Sequence, residues 1–268
     1  IPFSYFLLPV FLFSLSISPN FNGARTFWVF FIVHFLLYPA SNGYNSYFDK
    51  DEKSIGGLKN PPPVQRELYY LSLSLDFLAV VLGIIKVNMV FAVMLLIYGL
   101  ISKAYSHPRI RLKKYGVFSL FLTGIFQGLF TFMMCYCGIN DFPIASCFTP
   151  QVLIPGLLTS LMLMANYPMT QIYQHEEDGK RSDLTLSARL GINGTFYFAA
   201  AIFGIAICGF LFYFYLYHAS RYSRTFLLSV LPVLVYFFYW LTLVLKNKAH
   251  ADYAHTMWLN VISSTSMG

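Results

Sequence analysis

Seven of the 11 acidic residues in this 268-residue chain fall in two short stretches. Ser41–Lys53 carries Asp49, Asp51 and Glu52, and Gln171–Asp183 carries Glu176, Glu177, Asp178 and Asp183. Carboxylates placed only for solubility would not concentrate this way in a sequence that is 57% hydrophobic. On a helix, residues four apart share a face. Asn45 and Asp49, with Glu52 three residues on, would then line one stripe with an amide and two carboxylates. Gln171, Gln174 and Asp178 follow a similar i, i+3, i+7 spacing, with Glu176 in the same segment. Hard oxygen donors of this kind suit Mg2+, which keeps several waters and is usually held by a few carboxylates together with substrate phosphates. The plainer readings are two solvated loops, or ion pairs to Lys50, Lys53, Lys180 and Arg181; ion pairing is compatible with metal binding. We expect two halves of one polar site at the edge of a membrane, where such groups are costly unless they serve a function.

A third stretch, Tyr105–Lys114, packs Arg109, Arg111, Lys113 and Lys114 behind a Ser-His-Pro turn. It reads either as topogenic charge or as a clamp for phosphate oxygens, for which the forked donors of arginine are well shaped. Tyr105, Arg109, Arg111 and Lys113, joined by Lys180 and Arg181 beside the second acids, form the candidate anion-binding set. Acids for a metal and bases for an anion on the same side point to a diphosphate substrate.

The elements that must position these groups are apolar helices. Charged residues make up only 11% of the chain, against about 25% in soluble domains, so the chain reads as an all-α polytopic membrane protein forming one domain over 1–268. Spans are expected at 3–18, 27–45, 68–86, 88–106, 116–138, 149–170, 194–217, 225–245 and, partially, from 253. The runs lack the alternation of barrel strands, and Pro150, Pro155 and Pro232 suggest kinks. With the first span starting in the cytoplasm, Arg25, Lys86, Arg221 and Arg224 lie outside, and the remaining 14 of the 18 basic residues lie inside. That bias sets the orientation, giving a multi-pass protein of a bacterial-type inner membrane with both acidic motifs facing the cytoplasm. The net charge of +7 follows from these loops, and no basic–aromatic surface for nucleic acid is present. Both ends read as trimmed, and no cleavable signal peptide is visible. The Asn193-Gly-Thr195 triplet lies at a helix start on the cytoplasmic side and reads as chance. Cys135, Cys137, Cys147 and Cys208 lack zinc spacing and read as buried core thiols rather than a Cys135/Cys137 redox pair. His34 reads as a structural histidine; His107 and His175 are placed to touch an anion or act as a base. Asp76 is a lone intramembrane acid, a functional candidate by position.

Three motifs in order resemble those of the UbiA-type intramembrane prenyltransferases: Asn45-x-x-x-Asp49 followed by Gly56-Gly-Leu-Lys-Asn-Pro61; Tyr105-Ser-x-Pro108 with Arg111 and Lys113; and Glu176-x-Asp178 followed by Asp183-Leu-Thr-Leu-Ser-Ala-Arg-Leu-Gly191. The resemblance implies a nine-helix bundle, its last helix partial here, around a central cavity open to lipid. It also implies Mg2+-dependent transfer of a prenyl group from an isoprenoid diphosphate to a lipophilic acceptor, an aromatic quinone precursor among the candidates. Asn45, Asp49 and Asp178 would then be catalytic, with Asn45, Asp49, Glu52, Gln174, Glu176 and Asp178 as metal ligands. The pattern departs at Ser46 and Lys53, which stand where the family has acids, and at Gln171 and Gln174, which replace Asp or Asn and Asp. A weakened relative that binds isoprenoid or quinone lipid without turnover, and a cation-coupled transporter, are the alternatives.

Overall fold

The computed structural model describes residues 2–50, 54–180 and 185–268. Its principal helices are α1 Phe3–Ser16, α2 Gly23–Asp49, α3 Arg66–Lys86, α4 Met89–Ser106, α5 Gly116–Asn140, α6 Pro150–Gln171, α7 Leu186–Tyr217, α8 Ser220–Lys246 and α9 Tyr253–Met267. A short helix, His175–Lys180, lies between α6 and α7. The seven helices from α2 to α8 are long and apolar enough to cross a membrane. Among the described residues the one β pairing is an isolated bridge between Ile55 and Leu58. A helix stands at each of the nine expected positions, although the first and the last are shorter than the seven that can cross. Two of them begin earlier than their apolar runs because polar residues cap them. The Asn22 side chain accepts from the Arg25 N–H at 3.0 Å to start α2, and Thr185 Oγ1 accepts from the Ala188 N–H at 3.3 Å to start α7. Within α7, Gly191 adopts φ 68° and ψ 174°, a bend open to glycine. Pro150 is the first residue of α6, where its missing N–H costs nothing. Pro155, Pro168 and Pro232 lie inside helices.

The chain divides into two compact units, one of residues 1–112 and 130–152, the other of residues 113–129 and 153–268. In the first unit α2 packs against α3 and α4, while α1 packs against the later part of α5. Ile32, Tyr38, Phe91, Leu95, Phe132 and Met134 are its fully buried centre. A π-helical stretch, Ile32–Leu37, interrupts α2 and presents His34. The His34 carbonyl accepts from Ser4 Oγ at 2.8 Å, and His34 Nδ1 donates to the Ser4 carbonyl at 3.0 Å, so the histidine ties α1 to α2 as a structural residue. At the other end of α2, the Arg25 Nε–H donates to the Ile139 carbonyl at 2.8 Å, and its guanidinium lies 3.6 Å from Asp141.

In the second unit Trp240, Phe196 and Phe237 centre a core shared by α7, α8 and α9. A second π-helical stretch, Phe126–Phe130 in α5, is met by a side chain of α6: the Leu129 N–H donates to Ser160 Oγ at 2.8 Å. In lipid an unmet backbone N–H would cost several kcal/mol. Gly128 makes this approach possible, since a Cβ there would lie 2.6 Å from Ser160 Cα. Large apolar side chains such as Phe77, Phe212, Leu228 and Val235 are exposed, a surface suited to lipid rather than water.

Candidate functional site

The first motif sits where α2 runs out. The helix continues through Asp49 and stops at Lys50, which takes a left-handed φ of 50° while its N–H donates to the Ser46 carbonyl at 3.0 Å. Asp49 is therefore a helical residue and shares a face with Asn45, as their spacing requires. That face is ruled by α4. Ser41 and Ser102 hydroxyls lie 2.6 Å apart. One turn further along both helices, Ser106 Oγ donates to Asn45 Oδ1 at 2.7 Å. One turn beyond that, Asp49 is reached by Arg111, whose Nη2 lies 3.9 Å from Asp49 Oδ1. The rungs 41–102 and 45–106 keep step by four on each helix, and the basic turn supplies the third. The Asp49 side chain is only 5% exposed.

The basic turn is built around His107. Its carbonyl accepts from the N–H groups of Ile110 at 3.0 Å and Arg111 at 2.7 Å, and its Nδ1 accepts from the Arg109 N–H at 3.3 Å. The His107 ring also packs on Phe48, 5.3 Å between centroids. Arg111, at φ 45°, is turned back over the end of α2. Arg109 is exposed, Tyr105 is half-buried in the last turn of α4, and Lys113 is half-buried in a 3-10 turn. His107 thus shapes the turn that aims Arg111. After the first motif, Gly57 takes φ 85° in the tight turn closed by Ile55 and Leu58.

Asp76 of α3 is not alone. It pairs with Lys103 of α4, whose ammonium also lies 5.0 Å from the centre of the Tyr44 ring. Lys103 is therefore a residue of a spanning helix with an ion-pair partner, and Asp76 is its counter-charge. Gly99 leaves room for this pair, with Asp76 Oδ1 3.6 Å from where a Cβ would be.

The second motif lies in the other unit. Gln171 closes α6, is buried, and its Oε1 has no hydrogen-bond partner among the described residues. Its carbonyl accepts from the Gln174 N–H at 2.9 Å, and the Gln174 carbonyl accepts from the Asp178 N–H at 2.9 Å. The helix nevertheless breaks between them: α6 ends at Gln171 and the short helix begins at His175, so the expected i, i+3, i+7 stripe is not one helix face. Gln174 and Asp178 are half-buried and Glu176 is exposed. His175 Nε2 lies 2.7 Å from Ser187 Oγ, which lies 3.0 Å from Thr195 Oγ1, which donates to the Gly191 carbonyl at 2.8 Å. Run in that direction, the chain of donors puts the His175 proton on Nε2. Burial pushes the His175 imidazole below its ordinary value, favouring the neutral ring. The Thr195 hydroxyl is committed to these contacts. Glu52 and Arg181 lie outside the described residues, as does the side chain of Lys180.

The serine rungs and the Asp76–Lys103 pair were not singled out in the sequence. The signal for the rungs was there: Ser102 and Ser106 in α4 repeat the spacing of Ser41 and Asn45 in α2.

Residues 6–262 match the family model of the UbiA prenyltransferase family. Among solved structures, a UbiA homologue from Archaeoglobus fulgidus bound to GPP and Mg2+ is similar with a TM-score of 0.67 at 16% identity, covering 98% of this chain and 93% of that one. A UbiA homologue from the same organism bound to DMAPP and Mg2+ gives 0.65 at 14% identity, with 98% and 95% covered. A structure from work on digeranylgeranylglyceryl phosphate synthase gives 0.60 at 20% identity, with 98% and 91% covered. These likenesses show a shared fold. No curated protein matches the chain.

Proposed function

The chain belongs to the UbiA prenyltransferase family, and on that premise we propose that it transfers a prenyl group from an isoprenoid diphosphate to a lipophilic acceptor, an aromatic quinone precursor being the acceptor class. With its seven long apolar helices it is an integral multi-pass membrane protein. The observation that carries the proposal is the ordered stripe at the end of α2, where Asn45 and Asp49 are set by Ser106 and Arg111. A carboxylate this buried at the rim of an apolar bundle is costly unless cations answer it, and a metal–diphosphate supplies one.

The donor set fits Mg2+. Asn45, Asp49 and Glu52 in the first motif, and Gln174, Glu176 and Asp178 in the second, are hard oxygen donors. The buried side-chain carbonyl oxygen of Gln171, unmet among the described residues, adds one suited to a cation. When bound, the ion neutralises charge on the departing diphosphate. Arg111 turned over α2, with Tyr105, Arg109, Lys113, Lys180 and Arg181, binds the diphosphate oxygens. Holding donors where charge develops lowers the barrier to breaking the allylic C–O bond. The acceptor then bonds to the allylic carbon and loses a proton. Both motifs are assigned to the cytoplasmic face, following the bias of the basic loops. On this proposal residues 1–268 form one transmembrane domain.

The test is Mg2+-dependent release of diphosphate by the chain in lipid, given geranyl through long-chain prenyl diphosphates and pooled lipophilic acceptors. Release abolished by chelator and by Asp49→Ala supports the assignment. Absence of release from folded protein that still binds a prenyl diphosphate analogue overturns it. That result would favour the second reading, a lipid-binding relative without turnover, which Gln171 and Gln174 in place of acids support.

A further inference from the structure

The cysteines pair differently from their order in the sequence. Cys135 and Cys137 are two apart on a helix and cannot face each other. Instead Cys137, in the last turn of α5, meets Cys147 of the 3-10 turn Ile144–Phe148, with their sulfurs 3.1 Å apart. Both are fully buried. We propose that Cys137 and Cys147 form an intramolecular disulfide that fastens the α5–α6 connection to the end of α5.

The surroundings hold both residues in place for this bond. The Cys137 carbonyl accepts from the Phe142 N–H at 3.2 Å and from Asn88 Nδ2 at 3.3 Å. Asn88 also donates to Asp141 at 2.9 Å, where α5 ends in a left-handed residue of φ 59°. On the other side, the Ser146 N–H donates to the Pro143 carbonyl at 3.0 Å and closes the turn that carries Cys147. The alternative acceptors of the two thiols are distant: Pro143 O lies 3.9 Å from Cys137 Sγ and Met133 O lies 3.8 Å from Cys147 Sγ. The sulfurs are nearer each other than either is to a carbonyl. Reaching the bonded separation needs a closing movement of roughly 1 Å, within reach of rotation about two side chains.

The chemistry needs an oxidising face, and here the proposal rests on the orientation given above. The α5–α6 connection lies on the opposite side from the basic loops, which is the oxidising side in a bacterial envelope. The two thiols lose two protons and two electrons to the disulfide of a thiol–disulfide oxidoreductase. One thiolate attacks that disulfide, and the second resolves the mixed disulfide, leaving the carrier reduced. Because buried thiols are closed to solutes, the bond forms as the chain folds.

To test it, the chain is expressed in the membrane of cells with an oxidising extracytoplasmic space. Free thiols are blocked with iodoacetamide under denaturing conditions, and the protein is digested without reductant. The expected result is a cross-linked pair of peptides containing Cys137 and Cys147, which separates on reduction, with Cys135 and Cys208 alkylated from the start. C147S should free Cys137 for alkylation, and C135S should leave the cross-link intact. Full alkylation of Cys137 and Cys147 in folded, unreduced wild-type protein overturns the proposal. An Ile144→Cys probe on a C137S/C147S background then locates the fault. Labelling by an impermeant thiol reagent in intact cells places the failure in the pairing, and labelling only after permeabilisation places it in the orientation.

Discussion

Ser106→Ala removes one hydroxyl and tests whether the metal stripe is set by α4. The bond it makes to Asn45 Oδ1 is 2.7 Å long, and Ser106 is 1% exposed, so water cannot replace it. A buried hydrogen bond contributes about 0.5–1.5 kcal/mol net, and an acceptor left unmet adds to the loss, for about 1–2 kcal/mol in all. If that energy holds Asn45 in its metal-binding orientation, affinity for Mg2+ should weaken by about tenfold, since 1.4 kcal/mol is a factor of ten. The measurement is a Mg2+ titration of diphosphate release, paired with a titration of thermal stabilisation by Mg2+ plus a non-hydrolysable geranyl diphosphate analogue. Ser41→Ala is the control, because it breaks the Ser41–Ser102 contact between the same helices, 2.6 Å long, without touching a proposed ligand. It should cost similar stability and leave the Mg2+ requirement in place. Equal shifts in both variants, or none in Ser106→Ala, would refute the positioning argument.

Three further outcomes are expected. Gly128→Ala would drive a methyl to within 2.6 Å of the Ser160 backbone, and overpacking of that kind costs about 1–3 kcal/mol, read as a lowered unfolding temperature in detergent. Asp76→Ala strands Lys103 inside a spanning helix; breaking such a pair costs about 3–5 kcal/mol, whereas an apolar double replacement such as Asp76→Leu with Lys103→Met should recover most of it, and a double variant no more stable than the single would contradict the pairing. Because burial lowers the His175 pKa below 6.5, the unfolded chain binds a proton there before the folded one does, so stability falls as pH drops through about 6.5 and levels off below the folded value. His175→Gln should flatten that part of the pH–stability curve, and an unchanged curve would count against His175 as its source.

The spans were legible because the force that places them is compositional. Runs of apolar residues must be helical in lipid, and all of them are. What composition could not give was where each helix stops. The second apolar run ends near 45, yet the backbone stays helical to Asp49, as the Asn45–Asp49 stripe requires, and closes on a left-handed Lys50. Asp76 looked like a free intramembrane acid because its partner lies on the next helix, 27 positions on at Lys103, and that lysine looked like a loop charge. The sequence spoke against a Cys135/Cys137 pair but gave no sign of the contact that Cys137 makes across a turn with Cys147. In each case the missing knowledge was a contact between elements, which spacing within one element does not encode.

The stripe shows why a search for acids finds only the end of such a site. In lipid there is no hydrophobic drive to press one apolar helix on another, and packing is settled by small residues and polar rungs. Gly43 lets α2 approach α3 so closely that a Cβ would lie 2.5 Å from Ser72 Oγ, and Ser41 and Asn45 fix α2 against α4 by the rungs at Ser102 and Ser106. None of these six residues carries a charge, and of them only Asn45 marked itself out in the sequence. Yet with α2 fixed on two sides, Asp49 has one place to be, one turn past the last rung and under Arg111. The carboxylate does the proposed chemistry; a glycine, four serines and an asparagine decide where it does it.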